Sequence, residues 1–502
     1  MTRQILIILV AVALSGPHPA RAAPEAALFA GPYIVGTSVY SPRDFASEIA
    51  PHVGERTSPA MLDELRSAIR GRYVKDGYVT PIVSIPAEDV GATNPRFIVH
   101  EARIGAFELR GDAGPYKSYI EQLAIQLQKS APLRKEALKL ALARISQLPG
   151  ITSKPLFDPR PDSTNEFLLV LRVHYQPVAA RIELNNGGTK GLGRELLSAD
   201  VATNDALGLR EQMNFTAAIS SHPDRYQYED ARIQRSFGST NVFADVSGSV
   251  AVPDPDVRFR DVHFSTGAAR QWQLSTKNEF SVGATFNGDQ GSIRNAAANT
   301  VIQDHERNVA VAITFARTDD AHFGRLSLGA QQGLDVAGSV VDEGDYSQVD
   351  ARYTKYLLDA EKIIPLGSKW SLQVNLNGQV TSEVLPLLDR FTFGGIGFGA
   401  AFDPGSLSGD SGAEISAQLA RVVHIDRWGM QFARFYLRSD TAVVWNNSAY
   451  FYHRQEASSA GLGAFARWAH VLSTLEVSTP VDAPSDVAAQ AIRTFCSVAY
   501  VF

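Results

Sequence analysis

Trp370-Ser371-Leu372-Gln373-Val374-Asn375-Leu376-Asn377 sets an apolar side chain on every second residue and a polar one in each gap. A period of two is the side-chain period of a β-strand and does not fit one face of a helix. Stretches 213–219, 280–286 and 309–315 repeat it, with small or polar residues on the second face. One face therefore wants hydrocarbon and the other tolerates water. A soluble barrel turns the apolar face inward and an outer-membrane barrel turns it outward against lipid, and alternation alone does not choose between them.

What precedes the strands supplies the choice. Hydrophobic residues make up 45% of the 502, yet the longest apolar run, residues 5–14, is far short of the ~20 residues a membrane-spanning helix needs. Such a chain enters a membrane as strands. Arg3, the 5–14 run and the small-residue site Ala20-Arg21-Ala22 read as a signal peptide over residues 1–22, which sends the rest out of a bacterial-type cytoplasm. A formal charge of −6 shows no basic excess, so nucleic acid is not an expected partner. Cys496 stands alone, which excludes an intrachain disulfide.

Residues 33–40 read as a strand, and Ser41-Pro42-Arg43-Asp44 opens a short helix to residue 52. Ser58 as N-cap and Pro59 at the first position begin a stronger helix, with Leu62, Leu65, Ile69 and Tyr73 at helical spacing and Gly77 as its stop. Strands at 78–85 and 96–103 complete the unit. The order strand, helix, helix, strand, strand recurs at 104–110, 116–128, 134–148, 153–157 and 166–175, giving two α+β modules with helices on one face of a three-stranded sheet.

Here the residues resemble a known family. Asp76-Gly77-Tyr78-Val79-Thr80, Pro86 followed by Asp89, and Glu101-Ala102-Arg103-Ile104 are similar to the first polypeptide-transport-associated (POTRA) domain of two-partner secretion transporters. Pro132-Leu133-Arg134 and Leu148-Pro149-Gly150 resemble the second. The resemblance divides the chain into POTRA domains at 30–103 and 104–177 and a barrel at 178–502. From residue 178 onward helical signals vanish and sixteen strand candidates follow, starting near Arg181, Leu196, Gln212, Gln227, Val242, His263, Phe280, Asn308, Leu326, Val349, Trp370, Glu414, Gln431, Gly461, Leu472 and Ile492. The last strand ends on Phe502, a terminal aromatic resembling the signal read by the outer-membrane barrel assembly machinery.

The longest connection, residues 382–411, is Gly-rich and short of alternation, and long loops in compact domains are usually functional. Its strings Asp389-Arg390-Phe391-Thr392-Phe393-Gly394-Gly395, Phe402-Asp403-Pro404-Gly405 and Leu407-Ser408-Gly409-Asp410 resemble loop six of the same transporters, which folds back into the barrel lumen. The resemblance implies an Arg-Gly before the aromatic, where this chain has Ala400-Ala401 before Phe402. It also implies a Phe-x-Asp-x-Gly wall motif pairing with that arginine, where this chain has Arg438, Asp440 and Ala442. Asp440 thus loses its usual partner, a costly state for a desolvated carboxylate. Arg438 shares its strand face, so Arg438 could pair with Asp440 or with Asp403 of the loop, or a wet lumen could solvate the charges separately. The family's N-terminal plug helix has no room in the seven or so residues between Ala23 and the first module.

Other constellations are weaker. Gly409-Asp410-Ser411-Gly412 spells a serine-protease nucleophile motif without a histidine or aspartate motif upstream. Gly395-Ile396-Gly397-Phe398-Gly399 has the glycines of a phosphate cradle but no helix after it. The eleven histidines lack paired metal-ligand spacing. Asp254, Asp256 and Asp261 read as a solvated acidic turn or a rim calcium site. Trp272, Trp370, Trp428, Trp445 and Trp468 near strand ends fit interfacial girdles or ordinary packing.

The expectation is a mainly β chain: a sixteen-stranded transmembrane β-barrel preceded by two α+β POTRA domains. The resemblance implies an outer-membrane pore that passes a secreted partner protein from periplasm to cell surface, with the client's extended segment added to a POTRA sheet edge. Outer-membrane lipid and the barrel assembly machinery are the other partners. No cofactor, metal or catalytic residue is expected. The alternatives are a barrel insertase of the same superfamily or a barrel enzyme.

Overall fold

Pro59–Lys75 forms a 17-residue helix whose first turn is capped by Ser58, its hydroxyl accepting the Met61 N–H at 3.3 Å. Pro59 suits the start because a first-turn N–H has no helical partner to lose. Leu62, Leu65, Ile69 and Tyr73 fall on one stripe and are buried against Phe97 and Val99 of the sheet beneath. A computed structural model describes residues 27–159, 166–275, 277–319, 322–336, 339–342, 349–427, 429–448, 453–485, 487 and 491–502. The signal peptide expected at 1–22 and Trp428 lie outside the described residues. The chain divides into two compact units, the first within residues 27–173 and the second chiefly residues 174–502.

The first unit holds two three-stranded sheets. In one, Arg96–His100 runs between Tyr33–Val35, parallel to it, and Ile82–Ser84, antiparallel. In the other, Glu166–Tyr175 lies between Arg103–Gly111 and Ile151–Pro159. The strands expected at 33–40 and 78–85 are shorter than their apolar patterns, and the helix expected to reach residue 52 is three short pieces, the last of them Ala50–His52 around Pro51, which has no N–H for the helical ladder. Two motif strings of separate modules meet. Val79 N–H bonds Leu133 C=O at 2.9 Å, Lys135 N–H bonds Gly77 C=O at 2.9 Å, and the Arg134 guanidinium sits 4.7 Å over the Tyr78 ring. Val79 packs into the second module's core beside Leu133.

The second unit is a closed antiparallel barrel. Its order contains seventeen strands, of which Val340–Asp342 is a three-residue outlier, leaving the sixteen the sequence predicts. Each expected start falls on an observed strand except Ile492, one residue before the strand that begins at Arg493, and Val349, whose strand begins at Thr354. Strands grow from eight residues in Val178–Asn185 to nineteen in Thr300–Thr318. The apolar face points out: Val309, Val311, Ile313 and Phe315 are exposed, whereas Asn308 on the alternate face is buried. Arg307 and Arg317 bracket that band on the same face. Nineteen residues make roughly 60 Å of strand against ~30 Å of hydrocarbon, so these strands stand well proud of a bilayer. Trp272, Trp370 and Trp468 sit at the rim that also carries Val178 and Phe502, and Trp445 sits at the opposite rim.

Val311→Arg, in mid-band, should cost about 2–4 kcal/mol of folding stability in lipid vesicles by denaturant titration, and Ala312→Arg on the inner face much less; equal costs would refute the outward assignment. In the first module Tyr40 donates to Asp76 at 2.6 Å, and that bond, with Arg72, holds the Asp76 carboxyl below its usual range. Stability from this group is present above the unfolded value of about 3.9 and is lost as pH falls through the lowered folded one. Tyr40→Phe should therefore lower amide-exchange protection over residues 59–85 at neutral pH and flatten its loss on acidification.

Candidate functional site: a loop locked inside the barrel

Asp440, in the strand Met430–Trp445, carries its carboxylate on the inner face and is 1% exposed. Three donors reach it: Arg438 Nε at 2.8 Å, Ser459 Oγ at 3.1 Å and the Ala400 N–H at 3.3 Å. Arg438 stands two residues away on the same face, and its side chain is 9% exposed. Its other nitrogens bond the carbonyls of Ile396, at 2.7 Å, and Gly397. Of the arrangements the sequence left open, the structure has the Arg438–Asp440 pair. Separate solvation does not apply, since both side chains are removed from water, and Arg438 does not pair with Asp403.

Asp403 has other cations. Arg194 and Arg493 each reach Asp403 Oδ1 at 3.3 Å, and Arg493 also bonds the Phe402 carbonyl. Neither arginine carries a local sequence signal. Arg493 sits alone among apolar and small residues of the last strand, and only the fold of the loop brings it to Asp403.

The loop is more ordered than its Gly-rich sequence predicts. Phe391–Phe393 and Leu407–Gly409 pair as a two-stranded hairpin, Phe391 opposite Gly409 and Phe393 opposite Leu407. Phe393 and Phe402 meet as tilted rings with centroids 5.7 Å apart and, with Ala401 and Leu407, pack on Ala442, Val444 and Ala457 of the wall. Gly394 has φ +122° and its absent Cβ would collide with the Asp403 carbonyl, so only glycine turns the chain here. Gly395 N–H bonds the Phe402 carbonyl at 3.1 Å.

The base of the loop is held as firmly. Asp389 takes Lys355 Nζ and Gln331 Nε2, each at 2.7 Å, and the Tyr353 hydroxyl. Asp410 accepts the Leu385 N–H at 2.9 Å and the Asn447 N–H at 2.7 Å. Both carboxylates are buried, and charge-assisted bonds of this kind are the strong ones. Phe502 is exposed, its N–H bonding the Ala180 carbonyl at 2.9 Å.

The remaining sequence candidates have structural roles. Ser411 of the protease-like string exchanges bonds with the Thr381 main chain at 3.0 and 3.2 Å. Two carbonyls of the Gly395–Gly399 string, those of Ile396 and Gly397, face the Arg438 guanidinium, the opposite of an anion cradle. Asp254 accepts the Asp256 N–H at 3.0 Å, a closed acidic turn, and no cluster of three metal-ligating side chains occurs among the described residues.

A buried pair stripped of one partner leaves an uncompensated charge at a cost of about 3–5 kcal/mol. Arg438→Ala should therefore lower the temperature at which the folded barrel unfolds in detergent, Asp440→Asn should lower it less, and the double substitution should fall short of their sum. An unchanged Arg438→Ala transition would discard the lock.

The model of the haemolysin secretion/activation proteins ShlB/FhaC/HecB matches residues 168–466, and that of the ShlB-type POTRA domain matches residues 33–93. Among solved structures, CdiB from Escherichia coli is similar over 97% of this chain and 93% of its own, at 15% identity and a TM-score of 0.74. CdiB from Acinetobacter baumannii covers 95% and 90% at 13% identity and a TM-score of 0.63. BamA from Haemophilus ducreyi lacking POTRA domains 1–3 covers 95% of this chain and all of its own, at 13% identity and a TM-score of 0.54. No curated protein sequence matches the chain. Since the first model spans more than half of the residues, the chain belongs to the haemolysin secretion/activation protein family, ShlB/FhaC/HecB.

Proposed function

We propose that this two-partner secretion transporter passes one unfolded client protein through its own barrel, with residues 30–103 and 104–177 as periplasmic docking modules and the hairpin at 391–409 as the movable part of the pore. The observation that carries the reading is a closed sixteen-stranded barrel whose longest loop is tied by charge to its inner wall. The loop is held at defined points by these polar contacts and by the Phe393 and Phe402 cluster on the wall, so its movement would be an all-or-none release of both.

The sheets of the first unit offer edges for the client. Ile82–Ser84 and Ile151–Pro159 each lie at the border of a three-stranded sheet, and Ile82, Leu156 and Phe157 are exposed. An extended segment can add there through main-chain hydrogen bonds whatever its detailed sequence. Export then proceeds without nucleotide hydrolysis and without enzymatic chemistry. The exposed Phe502 strand end is what the barrel assembly machinery reads during insertion.

Deleting the gene should abolish appearance of a candidate client, encoded beside it, outside the cell, and the wild-type chain should restore it. Arg438→Ala should reduce restoration. Loss of many unrelated outer-membrane proteins upon deletion would instead identify an insertase.

A further inference from the structure

The tallest strands carry more carboxylate on their inner face than cation. Along Val257–Gln273, Asn278–Asn295 and Thr300–Thr318, the register sets Asp261, Gly291 and Asp304 side by side, and two residues further along His263, Asp289 and Glu306. The alternate face of the same strands carries the outward residues, so this set faces the lumen. Asp389 joins it from the loop, and the carboxyl of Glu306 lies against those of Asp304 and Asp389.

Two of these five acids are well served. Asp289 meets His263 Nδ1 at 2.6 Å, and Asp389 has Lys355, Gln331 and Tyr353. The other three are not. No N–H or hydroxyl of the described residues reaches either oxygen of Asp304 or of Glu306, or Oδ1 of Asp261. Yet Asp304 is 7% exposed and Glu306 2%. Burying a carboxylate without donors is strongly unfavourable, so either a proton shared among the touching carboxyls or a bound cation must compensate it.

Beside Asp304 lies a cavity of about 350 Å³, within the range of small-ligand sites, roughly 300–1,000 Å³. It is open because Gly291, between the two aspartates, has no side chain; a Cβ there would stand 3.2 Å from Leu388 Cδ1 of the loop. Phe259, Ile293, Ile302 and Leu388 give it a hydrocarbon side, facing Asp261 and Asp304. Its own arginines are engaged or displaced. Arg390 bonds Asn446, and Arg260 belongs to the outward set of its strand, between inward Phe259 and Asp261.

We propose that this cavity binds an organic cation, a primary ammonium or guanidinium on a short hydrocarbon stem, with the head at Asp304 and Asp261 and the stem along Ile293, Ile302 and Leu388. A bare metal ion would gain nothing from the hydrocarbon side. The same head and stem occur on a lysine or arginine side chain and at either end of a polyamine. The site does not depend on the transport reading, because it rests on charge and space in the barrel alone.

Full-length protein in non-ionic detergent, probed by saturation-transfer difference NMR, tests it with n-pentylammonium chloride and n-pentanol as neutral control. Transfer to the ammonium should exceed transfer to the alcohol several-fold. It should collapse in Asp304→Asn and in Gly291→Leu, which fills the space without touching a charge, and persist in Asp200→Asn, a lumen acid elsewhere that bonds Thr216. Equal transfer to both probes, or an ammonium signal that survives both cavity variants, overturns the site and leaves protons shared among Asp304, Glu306 and Asp389 as the means of neutralisation. Displacement by tri-lysine as readily as by spermidine marks a polypeptide side chain as the occupant; displacement by spermidine alone marks a free polyamine; displacement by neither overturns the site.

Discussion

A β-sheet can stand in hydrocarbon only if every backbone N–H and C=O finds a partner within the sheet, and that requirement makes closure the condition on which the barrel rests. Closure here is achieved with a short ladder. The last strand meets the first over Ser497↔Asn185 to Val501↔Arg181, whereas Asn278–Asn295 pairs with its neighbour along its whole length. Side chain and terminus extend the short seam. Asn186 accepts from the Cys496 N–H at 2.7 Å and donates to the Thr494 carbonyl at 2.9 Å, and the Phe502 N–H bonds Ala180. Arg493, a few residues from that ladder, then ties the loop tip to the turn after the first strand through Gly187 and Gly188.

The loop illustrates how an electrostatic function can persist while the residues that serve it move. An arginine on the loop pairing with an aspartate on the wall is the arrangement that the resemblance implies. This chain has Ala400-Ala401 in the loop and places the guanidinium on the wall, at Arg438, where it neutralises Asp440 and grips two loop carbonyls. A second pair of arginines holds the loop's own Asp403. Two wall strands, at Arg438 and Arg493, and the connection after the first strand, at Arg194, now supply the cations, and the loop supplies carbonyls and a carboxylate.

The two modules show a different economy. Their motif strings look like independent signatures in the sequence, yet Gly77, Tyr78 and Val79 of one bond and pack on Leu133, Arg134 and Lys135 of the other. A main-chain junction with a shared apolar residue joins the two modules directly rather than leaving them as two beads on a string.

Periodicity in the sequence determined much of this. The two-residue alternation at 280–286 and 309–315 needs hydrocarbon on one side, and those residues are the outward band. The cap Ser58-Pro59 and the stripe Leu62, Leu65, Ile69 and Tyr73 fixed the helix of the first module, because caps and stripes are local properties of the chain. Shared strand parity made Arg438 and Asp440 neighbours in principle. Tertiary structure decided the rest. Whether Arg438 paired with Asp440 or Asp403 depended on where the loop tip lands. Arg194 and Arg493, three hundred residues apart, meet Asp403 only after the sheet closes, and the acids Asp261, Asp304 and Asp389 gather only through register and loop return. Charge pairing acts through space over a few ångströms, and separation along the chain carries no record of it.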